Sequence, residues 1–280
     1  MLEDWRSFEG LTQRAKVPTG SGKVVWWYGL TRPTAGASLT EGADPTSRSS
    51  TARRVSGTLT EYGQLIKNSR LFMDVAIDGT KEAIMKDLAR DAAKLLDDTI
   101  LAKALAGGTA LYAASKLHRS DIVEASTATI KDIRKAVRLL QLSSVPRFPD
   151  GYYVSLVHPD IAFDLQSDSA WIDISKYRDS VQYDIKGEVG RLYGVRFAIA
   201  PTIPILLNSG SANTDIYRTL IFGPEFIGQS ELGELEVVIN EPGRASELKT
   251  FNTYGYRFVL STEVLSNQRG IRLESNSSLA

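Results

Sequence analysis

The chain has 280 residues, with 33 basic and 33 acidic side chains, 42% hydrophobic residues and no cysteine. This is the composition of an ordinary folded domain and excludes a disordered tail, while zero net charge supplies no global field toward nucleic acid. Without cysteine there is no disulfide, thiolate nucleophile or thiolate metal site, and no apolar run nears the roughly 18 residues that read as a membrane span.

The N-terminus, Met1-Leu2-Glu3-Asp4-Trp5-Arg6, lacks the basic-then-apolar order of a secretory signal, so the expectation is a cytoplasmic product. Residues 1–22 are polar and end in Val17-Pro18-Thr19-Gly20-Ser21-Gly22, a composition that predicts an extended arm. Val24-Val25-Trp26-Trp27-Tyr28 is an unbroken β-prone apolar run, read as a strand buried on both faces or pressed against another chain. Residues 31–52 are turn-rich and have little to bury. After them Val55, Gly57 and Leu59 alternate with Ser56, Thr58 and Thr60, the period of a strand. Together these segments predict a long hairpin with a wide tip. At about 3.3 Å per residue each arm would reach roughly 30 Å, so a neighbouring subunit is the expected cover for its apolar side chains.

From Thr80 to Leu105 the period becomes helical. Ile84, Leu88, Ala92, Leu95, Ile100 and Ala104 share one face, Thr80 is the candidate cap, and Gly107-Gly108 is the stop. At about 1.5 Å per residue this helix is on the order of 40 Å long, a structural beam. A second helix follows Thr129, whose hydroxyl is the candidate cap, with Ile130, Ile133, Val137 and Leu140 on one face. Gly151 introduces the strand 152–157, and His158-Pro159-Asp160 turns it into a short helix. Later strands are predicted at 195–199, 220–222, 235–239, 256–260 and 271–273, and the class is α+β.

Chemical motifs are weak. Gly20-Ser21-Gly22-Lys23 resembles a phosphate loop, but Val17 and Val24 stand where a Walker A motif requires glycine and a hydroxyl residue. Gly187, Gly190 and Gly194 are spaced three and four apart, which is not dinucleotide spacing. His118 and His158 lie far apart without a metal-ligand pattern. His158 is read as stabilising a turn; the rival reading, a soluble hydrolase using His158 with Asp160, lacks a nucleophile elbow. No catalytic residue, cofactor or metal is therefore expected. Candidate inter-subunit contacts are Trp26, Trp27 and Tyr28 on the first hairpin strand, and the basic group Arg48, Arg53 and Arg54 near its tip.

The order of parts resembles the HK97-like capsid proteins of tailed bacteriophages: polar arm, long hairpin, beam-like helix, strand-and-helix middle, returning strands. More specifically, Leu39-Thr40-Glu41-Gly42-Ala43-Asp44-Pro45 with Glu61-Tyr62-Gly63 is similar to the major capsid proteins of the N4-type phages. Tyr152–Pro159, Gly187–Phe197 and Leu220-Ile221-Phe222-Gly223-Pro224 are similar to that family's later blocks.

The resemblance implies an N-terminal arm at 1–22, an E-loop at 23–67, a peripheral domain with its spine helix at 68–127 and 206–280, and an axial domain at 128–205. It implies a structural protein of the virion that forms homo-pentamers and homo-hexamers in the host cytoplasm. A scaffolding protein and a portal are implied partners, a decoration protein is a further one, and packaged DNA is held only as non-specific contents. The sequence starts close to the arm, so a built-in scaffold extension is not expected. An encapsulin-like nanocompartment is the rival with the same fold; its cargo-binding N-terminal helix is not evident in residues 1–22.

Overall fold

The computed structural model describes residues 10–17, 22–30, 38, 41–42, 51–75, 80–169, 171, 188–233, 235–240 and 250–279. In chain order the strands are β1 (Gln13–Lys16), β2 (Val24–Leu30), β3 (Ala52–Thr58), β4 (Thr60–Ser69), β5 (Thr109–Tyr112), β6 (Tyr153–Val157) and β7 (Glu188–Leu192). They continue with β8 (Val195–Ile199), β9 (Tyr217–Phe222), β10 (Ile227–Glu231), β11 (Glu236–Asn240), β12 (Phe251–Val264) and β13 (Gly270–Ser275). The helices are α1 (Arg70–Val75), α2 (Thr80–Ala106), α3 (Ile130–Leu142) and α4 (Pro159–Ser167).

α2 joins two sheets, which is why it is so long. Its N-terminal half lays Leu88 and Ala92 against Tyr254, Tyr256 and Phe258 of β12. Its C-terminal half lays Ile100, Leu101, Ala104 and Leu105 against Val154, Leu156, Ala198, Leu220 and Phe222. At about 1.5 Å per residue, 27 residues span about 40 Å, enough to bridge both cores. The helix ends where the sequence predicts: Gly107 N–H donates to Lys103 O at 3.2 Å, and Gly108 adopts φ +78°.

The first sheet is organised on β12, whose 14 residues pair with β4 along one side. On its other side β11 takes residues 253–257 and β10 takes residues 260–264, with β1 parallel to β10 beyond. β1 lies within the stretch read as a bare arm. It pairs through its backbone, so it needs no apolar alternation, and Ser230 Oγ adds a bond to Ala15 O at 2.8 Å.

The second sheet has the order β5-β13-β9-β6-β8-β7 and is covered on both faces. β6 shows why: Val154 and Leu156 turn toward α2, while Tyr153 and Val157 turn toward α3 and α4. All five of its residues are buried, which produces the near-continuous apolar run 152–157 in the sequence. α4 begins as predicted, with Pro159 at its first position and His158 as its cap.

The cap of α3 differs from expectation. Thr129 occupies the cap position, but its hydroxyl donates to Asp132 Oδ2 at 2.7 Å instead of accepting a helix N–H. The Asp132 carboxylate, buried at the first turn, is the stronger acceptor and receives the hydroxyl's hydrogen bond.

Candidate assembly surfaces

β2 and β3 form the predicted hairpin, in register from Val24↔Thr58 to Leu30↔Ala52. The expectation that the run 24–28 is buried on both faces is corrected by its burial pattern. Val25 and Trp27 are 6% and 5% exposed, whereas Val24, Trp26 and Tyr28 are 42%, 48% and 66% exposed. A strand alternates its side chains, so a hairpin lying on one surface covers only every second residue.

The covered face is held by the chain's own body, not by a neighbour. Val25 and Trp27 pack with Leu265, flanked by Ala15, Val17, Val55 and Leu59. Trp27 needs two glycines to fit. A Cβ built on Gly228 would lie 2.7 Å from its Cε2, and one on Gly57 would lie 2.8 Å from its Cζ3. Both distances are shorter than real Cβ contacts, so the indole occupies the space that side chains at 57 and 228 would take. Trp27 is thus placed inside the subunit, where it attaches the hairpin.

The outward face is apolar with a basic rim. Tyr28 stands opposite Arg54 in the ladder, and the Arg54 guanidinium lies 5.6 Å from the Tyr28 ring centroid, a cation–π arrangement. Arg53 points to the other side, into a cleft shared with Gln13, Glu225 and Arg269. Arg48 lies outside the described residues.

A second surface escaped the sequence reading. β11 is the end strand of the first sheet, and Val237 and Ile239, opposite Tyr256 and Tyr254, remain 48% and 44% exposed because they lie beside α2 and not beneath it. Leu71, Phe72 and Val75 of α1 are exposed as well. Apolar edge strands invite pairing with another chain. The only sequence signal was the unbroken Val237-Val238-Ile239.

The chemical candidates resolve into structural roles. His158 Nδ1 accepts the Asp160 N–H at 3.3 Å and its ring meets Tyr217 edge-on at 5.2 Å, the geometry of a cap. Burial first, then a hydrogen bond to Asp160, pushes the Tyr217 phenol up to about 12. Gly187 lies outside the described residues, and the rest of that glycine-spaced segment is the start of a β-hairpin, β7–β8, turning through Tyr193 (φ 48°) and Gly194 (φ 80°). His118 N–H donates to Asp121 Oδ2 at 3.1 Å at the head of a short turn. Gly20 and Ser21 of the other glycine motif are outside the described residues.

No family model matches this sequence. No curated protein matches it either. Solved structures match nearly end to end. A chain in the capsid of Ralstonia phage GP4 superposes with a TM-score of 0.76 at 12% identity, over 95% of this chain and 87% of that one. The cyanophage Pam1 capsid asymmetric unit gives 0.75 at 13% identity, over 98% and 93%. The capsid of a native GTA particle gives 0.66 at 11% identity, over 99% and 92%. At such identities the likeness is one of fold, and the fold is the HK97-like capsid fold with its spine helix, α2.

Proposed function

We propose that this chain is the major capsid protein of a tailed bacteriophage, a structural subunit that assembles into the pentamers and hexamers of an icosahedral head around double-stranded DNA. The observation that carries this reading is the near-complete coverage of both partners in the likeness to phage capsid chains, which leaves little room in this fold for an added catalytic domain. The surfaces agree with it. The outward face of the hairpin and the β11 edge expose apolar groups that neighbouring subunits would cover, and many such contacts sum to a closed shell.

Within that reading, residues 1–22 are the arm, 23–67 the E-loop, 68–127 with 206–280 the peripheral domain around α2, and 128–205 the axial domain. Trp26, Tyr28, Arg48, Arg53 and Arg54 are the inter-subunit contacts of the E-loop. The N4-type resemblance supplies the finer placement, and scaffolding and portal proteins are the partners it brings.

Light scattering with negative-stain electron microscopy on the purified protein, alone and with its scaffold, tests this reading. Megadalton hollow particles, or rings of five or six subunits, are the expected result. A monodisperse species near the monomer mass in every condition refutes it.

A further inference from the structure

α3 turns Ile130, Ile133, Ala136, Val137 and Leu140 into the core beside the six-stranded sheet. Its other face carries Lys131, Arg134, Lys135 and Arg138, all exposed. The helix's one acidic residue, Asp132, is buried and held by Thr129 Oγ1 at 2.7 Å and Lys135 Nζ at 3.0 Å. A chain of zero net charge therefore presents one helix face with four cations and no exposed carboxylate. Among the described residues, Lys131, Arg134 and Arg138 meet no carboxylate at ion-pair distance.

The cationic strip continues beyond the helix. The Arg134 guanidinium lies 5.1 Å from the Tyr193 ring centroid at the β7–β8 turn, and exposed Arg147, in the loop after α3, lies 5.7 Å from that of Tyr153. Stacking on rings holds both guanidiniums, Arg147 Nη1 also donates to Gly151 O at 3.4 Å, and the remaining N–H groups can donate to phosphate oxygens.

We infer that the exposed face of α3, extended by Arg147, binds the phosphates of double-stranded nucleic acid. Positions 131, 134 and 138 are separated by about 5 and 6 Å along the axis at about 1.5 Å per residue, and a duplex offers one negative charge per about 1.7 Å of its length, so the strip meets several phosphates at once. Between positions 131 and 138 this face carries no apolar side chain; exposed Leu142 lies one turn beyond Arg138 at the end of the helix, and the Tyr193 ring is stacked by Arg134, whereas a protein partner would call for an apolar centre within the patch. The inference rests on the capsid reading only for the source of the duplex, the packaged genome. Contacts of this number are individually weak. Repeated over a shell they neutralise the outer layer of duplex without holding it against release.

The test titrates a labelled 30-base-pair duplex with the full-length protein at low and moderate salt. With a slope near −0.9 per phosphate, the four cations without a carboxylate partner among the described residues, Lys131, Arg134, Arg138 and Arg147, predict roughly a 150-fold loss of affinity between about 50 and 200 mM salt, Lys135 being neutralised by Asp132. A Lys131→Gln, Arg134→Gln, Arg138→Gln variant should bind more weakly at low salt and lose only about 3- to 4-fold over the same interval. Arg138→Gln alone should reduce the slope by about 0.9, and Arg134→Lys with Arg138→Lys should preserve it.

A triple variant that is folded by circular dichroism and keeps the parental slope overturns the inference. So does a variant that keeps its duplex affinity and loses shell formation, because α3 is then a contact to protein. Light scattering on the same samples separates the two readings. Shells from the parent without α3-dependent duplex binding overturn this inference and leave the capsid reading. Duplex binding lost in the triple variant, in a protein that never forms shells, supports this inference and overturns the capsid reading.

Discussion

The indole of Trp27 lies against the backbone of Gly228, with Cε2 2.7 Å from where a Cβ would stand. One strand of the projecting hairpin is thereby seated on β10 of the body, and the hairpin's position depends on a residue that carries no side chain.

Gly228→Ala is accordingly expected to push Trp27 out and loosen the hairpin, at a cost of about 1–3 kcal/mol by overpacking. Hydrogen exchange should accelerate in β2 and β3 and remain unchanged in α2. Equal protection of the hairpin in both proteins would show that Trp27 does not hold it.

The outward face should behave in the opposite way. Trp26→Ser with Tyr28→Ser removes exposed groups, so subunit stability should change by only about 0.5 kcal/mol per site while shell yield falls. Denaturant melts and particle counts on the same preparations check this. Full yield from the double variant would remove these residues from the list of inter-subunit contacts.

Glu274 is the most consequential buried charge. It is fully buried, takes two bonds of 2.6 Å from Arg119 and one of 2.8 Å from Arg272, and lies near Arg218. Burial first, then the neighbouring Arg272 and Arg119, lower the pKa of the Arg218 guanidinium, though Glu274 opposes the shift. Glu274→Gln leaves these guanidiniums without their carboxylate and should cost about 3–5 kcal/mol. A urea midpoint within error of the parent would contradict the network's role in joining the turn at 119–121 to β13.

Alkaline pH should act through Tyr217. Its folded pKa of about 12 lies above the ordinary value of 10.0, so the unfolded chain releases this proton first. The associated stability is complete below about pH 10 and is lost as pH rises toward 12. Melting temperature should fall less steeply across that window in Tyr217→Phe than in the parent. Identical slopes would mean that burial and Asp160 together do not raise the phenol's pKa.

The local elements were readable because their causes are local. Apolar spacing at 3.6 residues marks α2 and α3, alternation marks β3, and the His158-Pro159 step marks the start of α4. Five strands escaped for a corresponding reason. β4, a mostly polar strand of ten residues, is held along its whole length by β12, and β1, β5, β7 and β10 are four or five residues long and owe their state to neighbours distant in sequence, as β1 does to β10 across more than 200 positions. Propensity over such short windows is too small to decide between strand and loop.

By itself, the sequence determined the α+β class, the beam helix, the hairpin and the order of parts that resembles a phage capsid subunit. Apolar spacing also marked the buried faces of α2 and α3, but tertiary structure alone decided which side of the hairpin and of β11 meets water. Trp26 and Trp27 are chemically identical neighbours, yet one is half exposed and the other sits between Gly57 and Gly228, because a strand resting on a surface has one covered face. Likewise Lys131, Arg134 and Arg138 are ordinary helix charges until Asp132 folds inward and leaves them as an unopposed cationic strip. Burial and charge pairing are properties of the assembled surface, set by residues far apart in the chain.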